Sequence, residues 1–161
     1  MTVKVTRLGR RITKQIFAIL ALSAMTACSQ DNANELRNTT LKLYSFQADG
    51  SNVQELVAGS TIPYKATSCY GWRLTFDPID AQIPIDELLL LPDQANEWSV
   101  ETGAIVADDK TSAQTRFVVS GQKGIAEKSW CVAPGDPVGQ YKFVITYQQM
   151  KVGELPFRLA Q

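Results

Sequence analysis

No histidine occurs among the 161 residues, and there are only three cysteines. Histidine is the side chain that titrates near neutral pH, so its absence removes Ser-His-Asp and Cys-His catalysis and any imidazole metal site. Two further signatures are missing: a glycine-rich phosphate loop after a strand, and the Asp-x-Asp-x-Asp-Gly spacing of a calcium loop. Carboxylate pairs and a Ser-Lys dyad are what remain for catalysis. The adjacent acids are Asp77 and Asp80, Asp86 and Glu87, and Asp108 and Asp109. Beside proline and lysine they read as turn formers and solvated loop residues, with Asp108-Asp109 as a conceivable pair of oxygen ligands for calcium. No cofactor, metal site or catalytic residue is expected.

The first fourteen residues hold Lys4, Arg7, Arg10, Arg11 and Lys14 and no acid, and Gln15 to Ala27 is then uncharged around Ile16–Leu22. A basic stretch followed by an apolar one is the layout of an export signal. At thirteen residues the apolar part is short of the ~20 needed to cross a bilayer. Leu22-Ser23-Ala24-Met25-Thr26-Ala27-Cys28 resembles the lipobox of bacterial lipoproteins, in which small residues let a peptidase cut just before a cysteine; Met25 stands where that family prefers Leu, Val or Ile. The resemblance implies a helical signal peptide over residues 1–27 and a diacylglycerol on the Cys28 sulfur. Ser29 rather than Asp follows the cysteine, which in such lipoproteins points to the outer membrane. An ordinary secretory cut nearby and, through Arg10-Arg11, a twin-arginine signal are the alternatives.

Removing the leader changes the charge balance. The whole chain is neutral, with 16 basic and 16 acidic residues, but from Cys28 onward 11 basic residues face 16 acids, a net of −5. Affinity for nucleic acid rests on Lys and Arg displacing counterions, so an acidic domain is a poor candidate for it. Residues 28–40 are almost free of apolar side chains, which is the composition of a disordered tether.

A single domain is expected over residues 41–161. Leu41–Phe46 precedes the turn cluster Asp49-Gly50-Ser51-Asn52, and Thr67–Phe76 places Tyr70, Trp72, Leu74 and Phe76 on one face at period two. Ala113–Ser120, Gly139–Tyr147 and the alternation of Leu155, Phe157 and Leu159 read as further strands. Ile85–Leu91, between two prolines, is too short to tell a buried strand from two helical turns. With no helical periodicity after the leader, the expected fold is all-β, an antiparallel sandwich, with a barrel as the alternative.

The segment PGDPVGQYKFVITYQQMKVGELPFRLA, residues 134–160, resembles the last hairpin of many bacterial immunoglobulin-like modules, which implies an immunoglobulin-like sandwich and by itself no activity. Cys69 and Cys131 are then the remaining cysteines, and an oxidising compartment favours a disulfide between them. On a regular strand Cys69 would face away from Trp72 and Leu74. Either Gly71 is a bulge that resets the alternation, or the bridge lies at a sheet edge.

Trp72, Trp98 and Trp130 with Tyr64 and Tyr70 could form a stacking platform, although Trp72 reads first as core. Trp98, in a polar stretch, is either the first inward residue of a strand or an exposed anchor. Candidate binding surfaces are the strand edges and the loops around Trp98 and Pro134–Gly139, with Trp98 and Asp136 as the residues singled out. The leading expectation is a non-catalytic outer-membrane lipoprotein, facing the periplasm or the cell surface, that acts as an interaction or assembly module. Its partners would be the membrane, through Cys28, and another envelope protein. A small-molecule or glycan binding module is the alternative, and a carboxylate-dependent enzyme comes last. Growth with an alkyne fatty acid should tag the protein, and Cys28→Ala should abolish the tag; a Cys28→Ala protein that still carries label would refute the lipid anchor.

Overall fold

The computed structural model describes residues 35–98 and 103–161. The leader 1–27, Cys28 and the tether as far as residue 34 lie outside them. Ten strands form in order: β1 (Thr40–Gln47), β2 (Gln54–Leu56), β3 (Thr61–Pro63), β4 (Ser68–Thr75), β5 (Gln82–Leu90), β6 (Ala104–Val106), β7 (Ser112–Ser120), β8 (Ile125–Cys131), β9 (Gly139–Tyr147) and β10 (Met150–Ala160). A 3-10 turn at Gly121–Lys123 joins β7 to β8. The strands make two sheets, one of four in the order β2-β1-β4-β8 and one of six in the order β3-β10-β9-β5-β7-β6. The expected immunoglobulin-like sandwich is therefore what the residues build. All pairings are antiparallel except β3 with β10.

Period-two alternation decides which side chains fill the space between the sheets. Leu43, Tyr70, Trp72 and Leu74 point inward from the smaller sheet; Ile83, Ile85, Leu89, Phe143, Ile145, Phe157 and Leu159 meet them from the larger. Phe157 sits at the centre of an aromatic group, with ring centroids 4.8 Å from Tyr70, 5.3 Å from Tyr141 and 5.4 Å from Phe143. Offset aromatic pairs of this kind add about 0.5–1.5 kcal/mol each beyond their buried area. The final hairpin turns on Gln148 and Gln149, both with positive φ, the backbone that a two-residue type I′ connection needs to match strand twist.

The ambiguous segment 85–91 is resolved as strand, since β5 pairs with β7 over its whole length and with β9 from Ile85 onward. Pro84 falls one residue before the β9 pairing begins, where its missing N–H interrupts no ladder on that side. Cys69 and Cys131 form the expected disulfide and are direct cross-strand partners, with Cα atoms 3.9 Å apart. Gly71 is not a bulge, for β4 keeps unbroken register with both neighbours. The bridge lies instead on the outer side of the smaller sheet and ties in its edge strand β8, unlike antibody bridges, which cross between sheets. A Cβ at Gly71 would lie 2.4 Å from the Lys128 carbonyl oxygen, so glycine is what lets β8 close onto β4.

Two of the acid pairs lie outside the strands, Asp77 and Asp80 in a loop and Asp108 and Asp109 in a turn. Asp77 accepts from the Asn38 amide at 2.8 Å, and Asp109 accepts from the Thr111 N–H and hydroxyl. The Asp77 N–H also donates to the Arg37 carbonyl, and Leu36 packs against the core, so the chain is already docked before β1. Asp86 and Glu87 overturn the loop reading: both lie within β5, Asp86 pointing out and Glu87 fully buried. Glu87 accepts hydrogen bonds from the indole N–H groups of Trp72 and of Trp130, the latter at 2.9 Å, both from the facing sheet. A buried carboxylate is tolerable only when such donors meet it. Glu87→Gln places an amide NH2 where one indole needs an acceptor, and should lower unfolding free energy by about 2 kcal/mol in urea titrations; an unchanged midpoint would show that the two indoles do not depend on it.

Candidate functional site

The two residues singled out from sequence are brought together. Trp98 and Asp136 line one cavity of about 40 Å³, with Trp130 and Tyr141, at one end of the sandwich. Trp98 is half-buried; its indole N–H donates to the Lys110 carbonyl at 3.2 Å, and its ring meets Trp130 edge-on at 6.1 Å. It packs inward from a loop, as no strand includes it. The Asp136 carboxylate accepts the Ala133 N–H at 2.8 Å, and the Tyr141 hydroxyl donates to the Pro137 carbonyl at 2.7 Å. Burial pushes the Asp136 carboxyl above its ordinary value against the opposing effect of the Ala133 N–H, and pushes the Tyr141 hydroxyl up as well. A cavity of that size suits water rather than an organic ligand.

The other aromatics of the expected platform are also spent internally. Tyr70 and Trp72 are core residues, Trp130 is bound to Glu87, and the Tyr64 hydroxyl donates to the Ala133 carbonyl. The aromatic surface lies elsewhere, on the outer face of the four-stranded sheet. There Tyr44 and Phe46, two apart on β1 and half-exposed, stand beside Gly71 in a trough of about 470 Å³. Across β4, Ser129 lies opposite Gly71 and Glu127 opposite Arg73. Arg73 donates through Nε to Glu127 at 2.7 Å, and its guanidinium lies 5.1 Å from the Tyr44 ring centroid.

A second exposed feature occupies the outer face of the six-stranded sheet. Because Glu87 and Leu89 point inward, Leu88 and Leu90 point out, and Val144 lies directly beside Leu88 on β9. Gln114 is Leu88's other neighbour, and beyond it Ile105 on the edge strand is 72% exposed. Ion pairs border this row: Arg116 grips Asp86 through two N–H···O contacts of 2.6 and 2.9 Å, and Lys142 reaches Glu154 at 3.5 Å. Among the described residues no group of three or more acids or cysteines could hold a metal ion.

Sequence reasoning missed Tyr44, Phe46 and the outward leucines. The signal for the first was present, an aromatic pair at spacing two opposite a strand glycine. For the second it was the apolar run in Ile85–Leu91, the pattern of a strand covered on both faces.

Comparison with known proteins agrees with the architecture. A family model described as PM0630 beta sandwich domain matches residues 41–160. An immunoglobulin-like protein, PA1606 of Pseudomonas aeruginosa, superposes with a TM-score of 0.52 at 15% identity, over 80% of this chain and 99% of that one. The N-terminal domain of PorA aligns over 73% of this chain and 95% of its own at 9% identity, with a TM-score of 0.28. No curated protein sequence matches.

Asp136 supplies a test of the cavity. With its folded pKa raised above the unfolded value of ~3.9, the native state holds more protons just above that pH. The stability this carboxyl contributes is full below the unfolded pKa and is lost as pH rises through the folded one. Carbon-13 NMR should find it titrating above the ordinary aspartate range, and Asp136→Asn should remove that part of the decline; an ordinary titration would show the corner to be wet and open.

Proposed function

Since the chain belongs to the PM0630 beta sandwich domain family, we propose that it is a non-catalytic interaction module, held at the outer membrane by lipid on Cys28, that fixes another envelope protein there. An immunoglobulin-like sandwich is typical of non-catalytic domains. One observation carries the reading: the last three residues of β5, Leu88–Leu90, are apolar on both sides of the strand, yet only Leu89 lies in the core.

The solvent face of an antiparallel sheet is ordinarily polar. Here Leu88, Leu90 and Val144 occupy its central strands, with Ile105 exposed at the margin. An apolar patch with ion pairs at its border is the layout of a protein interface, whose centre is depleted of charge and whose rim is polar. The face of the larger sheet suits recognition better than the loops of Trp98 and Asp136, where the Trp98 indole N–H and one Asp136 carboxylate oxygen are engaged internally.

A photoreactive residue placed at Leu88 or Val144 should capture one discrete envelope protein, whereas one at the exposed Lys123 should not. Leu88→Asp should lower recovery of that complex about tenfold, which corresponds to roughly 1.4 kcal/mol, with little change in melting temperature. Equal capture from Lys123, or a complex indifferent to Leu88→Asp, would refute the assignment.

A further inference from the structure

We infer that the trough beside Gly71, on the opposite side of the sandwich, is a second and separate binding site, and that it takes a neutral pyranose ring of a glycan. Its volume of about 470 Å³ falls within the range of about 300–1,000 Å³ typical of small-molecule sites. The lining is divided by chemistry. Tyr44 and Phe46 follow one another along β1 on the same face, about 7 Å apart at the strand's repeat, and place two aromatic rings in line, the Tyr44 ring with the Arg73 guanidinium 5.1 Å from its centroid. Arg73 and Glu127 stand at one end, and the Ser129 side of β8 forms the far wall.

That division matches a sugar ring. A pyranose presents a C–H face that packs on an aromatic ring, and a rim of hydroxyls that both donate and accept. The guanidinium has five N–H donors and a carboxylate has four lone-pair sites, so one contact at 2.7 Å uses a small part of what the pair offers. The two side chains remain 44% and 58% exposed, and an exposed ion pair is weak enough to re-form around a ligand.

The electrostatics select among occupants. Arg73 and Glu127 cancel one another, and Lys128, the other charged residue of the lining, stands opposite the inward Trp72 and turns its ammonium to the Trp130 ring at 5.3 Å, so the outer side of the trough has no excess charge with which to attract a phosphate, a uronic acid or a nucleotide. An aromatic side chain from a protein would cover the pair with carbon and strip its water without replacing those hydrogen bonds. Sugar hydroxyls replace them.

The test is titration of the full chain with maltohexaose, cellohexaose, mannohexaose and galactohexaose, beside an oligouronate as the charged comparison. Saturable binding of at least one neutral oligosaccharide is expected, insensitive to added salt and retained in Leu88→Asp. Tyr44→Ala and Phe46→Ala should each weaken it about tenfold, the loss of one stacking contact. If either alanine lowers the melting temperature, Arg73→Gln, an exposed change, reads the same site and should also weaken binding. Absence of saturable binding to all four sugars would overturn the inference, as would binding that survives all three substitutions. Preference for the oligouronate, or a protein crosslinked from Phe46 that none of the sugars displaces, would overturn it too.

Discussion

Glu87 sets the arrangement on which the outer face of the larger sheet and the loop end of the sandwich depend. A carboxylate placed between two apolar layers is costly unless donors are already aimed at it, and here Trp72 and Trp130 reach it from neighbouring strands of the facing sheet. The contact fixes the register of β5, because a slip of one residue would carry Glu87 to the surface and Leu88 inward. With Glu87 in place, Leu88 and Leu90 must point out, and Trp130 is turned so that Trp98 can close against it. One buried acid thus decides the outward apolar row and helps shape the loop end.

Most of the fold is legible in the sequence because alternation is a local property. Tyr70, Trp72 and Leu74 announce an inward face without reference to any other strand, and so do Leu155, Phe157 and Leu159. The cysteine pair is equally accessible, but counting residues from Cys69 to Trp72 leaves two geometries open, a bulge at Gly71 or a bridge at a sheet edge, and the unbroken register of β4 selects the second. Glu87 could not be read in this way. Nothing local distinguishes an acid beside Asp86 in a turn from one whose partners lie 15 and 43 positions away. The site residues were hard for a related reason: exposure of Tyr44 and Phe46, and burial of Trp130, depend on which strands become neighbours.

The two exposed faces differ in chemistry because different side chains stand on their central strands. In the six-stranded sheet β9 and β5 are flanked on both sides, so their outward residues are half-covered by neighbours and tolerate apolar side chains. In the four-stranded sheet Gly71 removes one side chain from β4 and Ser129 supplies a small one opposite, leaving a depression between taller residues of β1 and β8. A broad apolar row suits another folded surface, and a narrow aromatic trough suits a single ring.

The docking of residues 36–38 ahead of β1 has a mechanical consequence. If Cys28 is fixed in a membrane and a partner pulls on the domain, tension enters the fold through Leu36 and Arg37 and passes along β1, which lies between β2 and β4. Antiparallel hydrogen bonds run perpendicular to the strands, so a load along β1 shears the whole β1–β4 ladder together instead of opening it one bond at a time. The Cys69–Cys131 bond then ties β4 to β8, extending the loaded layer to the sheet's edge by a covalent link. A domain joined to its support in this way resists detachment by force more than its thermodynamic stability alone would suggest.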